Sequence, residues 1–149
     1  MYTIPLQLIR IDQGGCHLMM HAGINEYKAN VLIDTGASMT VMDLSRAQKY
    51  LNNPEINPFE NYFTGMGEGK IETWTTHIPS LTIGSTCMKD LQILLIDMSP
   101  IQKTYACFDL PRIDIVLGGD LLMEMGAVID YPNRKLMLTE EGRSKVVTK

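Results

Sequence analysis

Residues 30–41, NVLIDTGASMTV, run apolar into an acid, turn through Thr-Gly-Ala-Ser and become apolar again. Val31, Leu32 and Ile33 suit the interior of a sheet, yet the next residue is Asp34, and a carboxylate is costly to bury unpaired. Any fold for this chain must end a core strand where an acid is tolerated. Asp and Gly are common turn formers, so one reading is simply a turn that closes a strand. The other is that a rigid strand carries the carboxylate to the rim of the fold as a working group.

The bulk numbers limit what that group can serve. At 149 residues, 45% hydrophobic and 20% charged, the chain is expected to form one domain over residues 1–149, large enough to bury a core without staples. Its net charge is −4 and its Lys and Arg residues are scattered, so neither nucleic acid nor a membrane surface is an expected partner. Cys16, Cys87 and Cys107 are odd in number, irregularly spaced and without a C-x-x-C pair, which predicts free thiols in a reducing compartment. The opening MYTIPLQLIRIDQGG lacks the basic and apolar regions of a signal peptide, and no apolar run reaches membrane-spanning length. A cytoplasmic location is the expectation.

Extended segments dominate the pattern. CHLMMHA and EYKANVLID flank a turn at residues 23–25 and predict a hairpin running into Asp34. In DLSRAQKYLNN, Asp43 is a candidate N-cap and Leu44, Ala47 and Leu51 share a helical face, which predicts a short helix. PEINPFEN breaks regular structure with two prolines. YFTGMGEG and IETWTTHI predict a hairpin with a glycine-rich tip, and LTIG to MKDLQILLID a second hairpin turning at Gly84-Ser85. Residues 98–112 read as a connection with one helical turn. IDIVLGGD reads as a buried strand, LLMEMG as a short helix capped by Asp120 and Gly126, and AVIDYPNRKLML as two strands about Pro132-Asn133. The fold class is therefore all-β with one or two short helices.

Most candidate chemistries fall away. His17 and His21 are four apart, but on a strand and without an intervening Glu, so no metal site is expected. GMGEG lacks the Gly-Lys-Ser/Thr ending of a phosphate loop, and no Cys-His or Gly-x-Ser-x-Gly arrangement marks a nucleophile. No cofactor is predicted. Asp34-Thr35-Gly36-Ala37-Ser38 is different, because two apolar residues before D-[ST]-G-[AST] arise by chance in roughly one chain of this size in a few hundred.

Two further features accompany that phrase: the Gly-rich apolar hairpin downstream, and then IVLGGDLLMEMGAVIDYPNRKLML, an apolar-apolar-Gly-x-Asp strand entering a helix. Together they resemble the retropepsin-like aspartic proteases over about residues 16–138. The resemblance implies a single-lobe acid-protease closed β-barrel with one half-site per chain. The chemistry of that family uses two carboxylates sharing a proton, and this sequence holds one D-[ST]-G. The implied enzyme is therefore a homodimeric aspartic endopeptidase acting on a peptide or protein substrate, with the two Asp34 residues at a two-fold axis. Asp34, Thr35 and Gly36 take the catalytic positions, with Thr35 bracing the loops across the axis. Ala37, Ser38, Gly65, Met66, Gly67 and Gly118 take positions at the substrate, and residues 62–71 would close as a lid. Met66 and Trp74 point to hydrophobic substrate side chains. The chain departs from viral relatives in lacking an acid at Ser38 and an arginine at Gly119, and from two-lobed relatives in having Ala37 in place of Ser. A dimerisation or peptide-binding module without turnover is the alternative.

Overall fold

A mostly-β architecture is found in the computed structural model, which describes residues 2–59 and 71–139, Asp12 by its backbone alone. The chain opens with strands β1 (Tyr2–Pro5) and β2 (Gln7–Ile11), in a stretch for which no strand was expected. The predicted hairpin follows as β3 (Gly15–Ile24) and β4 (Tyr27–Ile33), turning at Asn25 with φ +52°. After the Asp34 loop come β5 (Val41–Asp43) and α1 (Leu44–Tyr50), and then a two-residue strand β6 (Asn57–Pro58) inside the proline-broken stretch. β7 (Trp74–Ile83) and β8 (Thr86–Ile96) form the second predicted hairpin, with Gly84 at φ +61° in its turn.

The expected single helical turn after residue 98 is instead a nine-residue helix, α2 (Ser99–Cys107). β9 (Ile115–Leu117), α3 (Gly119–Glu124), β10 (Ala127–Asp130) and β11 (Lys135–Leu138) complete the order. There are thus three α-helices where one or two were expected. α3 also begins two residues early, with Gly118 at the cap position, while Gly126 closes its far end at φ +59°. Asp120 lies inside its first turn.

The larger sheet runs β2-β3-β4-β9-β5-β8-β7-β6. Pairing of β3 with β7 (Gly23↔Thr82, Ile24↔Leu81) returns it on itself, so six of its strands close a barrel. β1, β11 and β10 form a separate three-stranded antiparallel sheet. The central strands are buried on both faces. Val31, Ile115 and Leu117 point into the main core with Leu18, Met42, Ile78 and Leu95. Their alternating neighbours Leu32 and Val116 point the other way, into a second core with Met98, Tyr105 and Ile113. This accounts for the unbroken apolar runs before Asp34 and Gly118, since a strand covered on both sides has no polar face. α2 supplies the cover through Tyr105. No helix among the described residues is long and apolar enough to cross a membrane.

Candidate active site

Asp34 stands where two parallel strands end together. β4 and β9 pair from Val31↔Ile115 to Ile33↔Leu117, and the Asp34 N–H extends the ladder by donating to the Leu117 carbonyl at 3.0 Å. The chain then turns sharply, with the Ala37 N–H donating to the Asp34 carbonyl at 3.1 Å. The Gly36 N–H donates to Asp34 Oδ1 at 3.0 Å, so the backbone itself orients the carboxylate. A Cβ on Gly36 would lie 3.2 Å from that same oxygen.

The loop rests on the start of α3. Gly119 N–H donates to the Ala37 carbonyl at 2.7 Å. Thr40, buried, accepts from the Gly118 N–H at 3.0 Å and donates its hydroxyl to Asp120 Oδ1 at 2.7 Å. Gly118 is a steric requirement: a Cβ there would stand 2.7 Å from the Ala37 oxygen and 2.8 Å from the Met39 carbonyl carbon. Asp120, expected as a helix cap, is thus a brace for the loop.

Asp34, Thr35, Gly36 and Ser38 are exposed and Ala37 half-buried. Beside them opens a cleft of about 460 Å³, lined by Asp34, Gly36, Ala37, Ser38, Met39, Val41, Ile71, Thr73, Ile96, Ile101 and Val116. Asp34, Gly36, Ala37 and Ser38 therefore come together at its mouth. Gly118 lies beneath the loop, and Gly65, Met66 and Gly67 lie outside the described residues. Trp74 is not in the lining; its ring packs against the main core. The apolar wall of Val41, Ile96, Ile101 and Val116 was not singled out from sequence. Val41 and Val116 neighbour the motif and its glycine partner, which was a usable signal. Ile101 had none, because it reaches the cleft only through the placement of α2.

α2 is held by polar contacts at both ends. Asp43, the expected N-cap of α1, makes no such cap; its buried carboxylate accepts from Arg112 at 2.7 Å, Ser45 at 2.9 Å, and Gln102 and the Met98 N–H at 3.3 Å. Gln102 also accepts from the Ile113 N–H at 3.0 Å. Toward the other end, Tyr105 hydrogen-bonds His17 Nδ1, and burial pushes the Tyr105 phenol above its ordinary value of 10.0.

The remaining acids near β9 are otherwise engaged. Asp114 is buried at the opposite end of the strand, accepting from the Asn30 N–H at 2.7 Å and pairing with Arg46 at 3.2 Å. Four residue steps along the strand separate that level from Asp34, about 13 Å at 3.3 Å per step. Among the described residues no group of three or more His, Cys, Asp or Glu is placed to hold a metal ion. The arrangement can offer an oriented, solvent-reachable carboxylate beside an apolar trough.

A family model described as "Aspartyl protease" matches residues 20–121. Among solved structures, the retroviral protease-like domain of Ddi1 from Leishmania major is 16% identical, with a TM-score of 0.58 over 83% of this chain and 89% of that one. A retropepsin-like aspartic protease from Rickettsia conorii is 21% identical, with a TM-score of 0.52 over 92% and 86%. The EIAV protease in complex with an inhibitor is 20% identical, with a TM-score of 0.54 over 82% and 99%. No curated protein matches the sequence. At these identities the structural likeness concerns the fold, a single-lobe acid-protease barrel.

Proposed function

The chain belongs to the aspartyl protease family, and on that premise we propose that it is an aspartic endopeptidase active as a homodimer. The observation that carries the reading is the Asp34 carboxylate, oriented by the Gly36 N–H and exposed beside an apolar cleft. One such group is half a catalytic pair. With its twin it shares one proton, and aspartic proteases are a standard case of a carboxylate pair whose ionisations are split in this way.

The ionised Asp34 takes a proton from water, whose oxygen bonds to the peptide carbonyl carbon. The protonated Asp34 gives its proton to the carbonyl oxygen. The tetrahedral adduct collapses when that hydroxyl proton returns to one carboxylate and the other protonates the departing nitrogen. The C–N bond breaks, and the pair again holds one proton. Thr35 braces the two loops, and Ala37, Ser38 and Gly118 shape the floor on which an extended peptide lies. The apolar wall favours a hydrophobic side chain next to the scissile bond.

The test is a peptide-library digest from about pH 4 to about pH 7, with and without pepstatin. Wild type should cleave and pepstatin should stop it. Asp34→Asn should lose activity by at least about 1,000-fold while folding normally. Cleavage by Asp34→Asn at the wild-type rate overturns the assignment.

A further inference from the structure

The barrel wall has one missing rung, at His21. β2 pairs with the first half of β3 as far as Gln7↔Met19, and β7 pairs with its end from Gly23↔Thr82. His21 lies between the two. On its other side it stands opposite Asn30 of β4, whose N–H and carbonyl both engage Asp114 beside β9. Facing residues of an antiparallel pair either exchange both bonds or turn both away. His21 therefore aims its own N–H and carbonyl into the gap, where among the described residues neither meets a backbone partner.

The sequence accounts for the gap. Continued toward the N-terminus, the β2 register would set Pro5 opposite His21, and proline has no N–H to offer the His21 carbonyl. The chain swings away instead. The Leu6 N–H donates to the Arg134 carbonyl at 2.8 Å, and Pro5 pairs with Lys135 in the small sheet. The space left open is a cavity of about 650 Å³, a size ordinary for a ligand site. Ile4, Leu6, Leu8 and the Tyr2 ring, which lies against Gly84, give it apolar walls. Its polar lining includes Gln7, His21 and Arg134 and no acid.

We propose that this cavity binds the C-terminal residue of a peptide. One extended residue supplies the missing rung, its N–H donating to the His21 carbonyl and its carboxylate accepting from the His21 N–H. Arg134 carries the fixed positive charge that a free carboxylate calls for. The apolar walls take the side chain, so a hydrophobic terminal residue is favoured. Pairing on an open strand edge and capture of a terminal carboxylate are both established ways of holding a peptide. A fatty acid would satisfy Arg134 and the walls but leave the His21 carbonyl unmet. An internal peptide segment would pair with His21 but bring no charge to Arg134. A terminal residue meets all three demands. The cavity shares no lining residue with the Asp34 cleft, so the inference stands apart from the catalytic reading.

The test is an amide NMR titration of the isotope-labelled chain with N-acetyl-leucyl-leucine as the free acid, with its C-terminal amide, and with decanoate. The acid should bind saturably, shifting the His21 amide and slowing its hydrogen exchange. Amidation removes the charge-assisted contact and should weaken binding at least about 10-fold. Decanoate, which cannot donate to the His21 carbonyl, should bind more weakly than the acid. Arg134→Gln should weaken the acid about 10-fold and leave the affinity for the amide unchanged, a split that loss of the turn alone would not produce. Should that variant fail to fold, the comparison of acid with amide on the wild type decides the matter. No saturable binding of the acid, equal affinity for acid and amide, decanoate binding as tightly as the acid, or shifts confined to the Asp34 loop would each overturn the proposal.

Discussion

At position 118 the residue type is decided by contact distances. The carbonyl groups of Ala37 and Met39 occupy the space a side chain would need, and backbone oxygens cannot swing aside as a flexible side-chain tip can. Gly118→Ala must push the Asp34 loop off α3, lengthening the Gly119 N–H to Ala37 contact and disturbing the Thr40 bridge. The expected cost is about 1–3 kcal/mol of stability, seen as a lower urea midpoint, with a larger fractional loss of kcat than of KM because the carboxylate is misaimed. An unchanged midpoint would show that the loop floats free of the helix. Asp34 and Gly118 were legible in the sequence because each interrupts an apolar run, and interruptions are local. Asp43 was legible only as an acid before a helix. Its main partner, Arg112, is 69 residues away, and no local pattern records such a distance.

The element that sequence reading underestimated is α2, and the reason is physical. SPIQKTYAC carries Pro, Thr, Tyr and Cys, none a strong helix former, and short helices draw most of their stability from packing. Here the packing is nonlocal: Tyr105 fills the second core, and Asp43 and Gln102 hold the first turn. The β3–β4 and β7–β8 hairpins, by contrast, were read well because their turns and alternation lie within one stretch of chain; the glycine-rich hairpin tip expected at residues 65–69 lies outside the described residues. Since α2 brings Ile101 to the cleft, its anchoring bears on the peptide binding proposed there. Asp43→Ala removes the acceptor shared by Arg112, Ser45, Gln102 and the Met98 N–H. Because Arg112 is partly exposed and can rehydrate, the expected loss is about 2–3 kcal/mol, toward the lower end for breaking a buried ion pair. KM for peptides with a hydrophobic residue at the cleavage site should rise several-fold. A variant with normal stability and normal KM would detach α2 from both roles.

For the whole molecule, the closed barrel could be expected only through resemblance, because the β3–β7 pairing that closes it joins residues far apart in sequence. On the proposed aspartic-protease reading, however, a need for two chains follows from counting among the described residues: one oriented Asp34 per chain, a reaction that uses two carboxylates, and Asp114 and Asp120 engaged with Arg46 and Thr40. Activity should then obey mass action. Below the dimer dissociation constant, specific activity should fall with dilution, because the dimeric fraction falls. Mixing is the sharper measurement. If wild-type chains are equilibrated with a nine-fold excess of Asp34→Asn and pair at random, about one wild-type chain in ten still meets a wild-type partner. Mixed dimers carry a single working carboxylate, so activity should drop to about one tenth of that of the same wild-type chains alone. The total concentration must stay above the dissociation constant, so that the added variant changes partners and not the extent of pairing. Activity that ignores the excess variant would mean that each chain completes its own pair. Activity that nearly doubles would mean that one Asp34 suffices within a dimer, because the same wild-type chains would then be spread over almost twice as many active dimers.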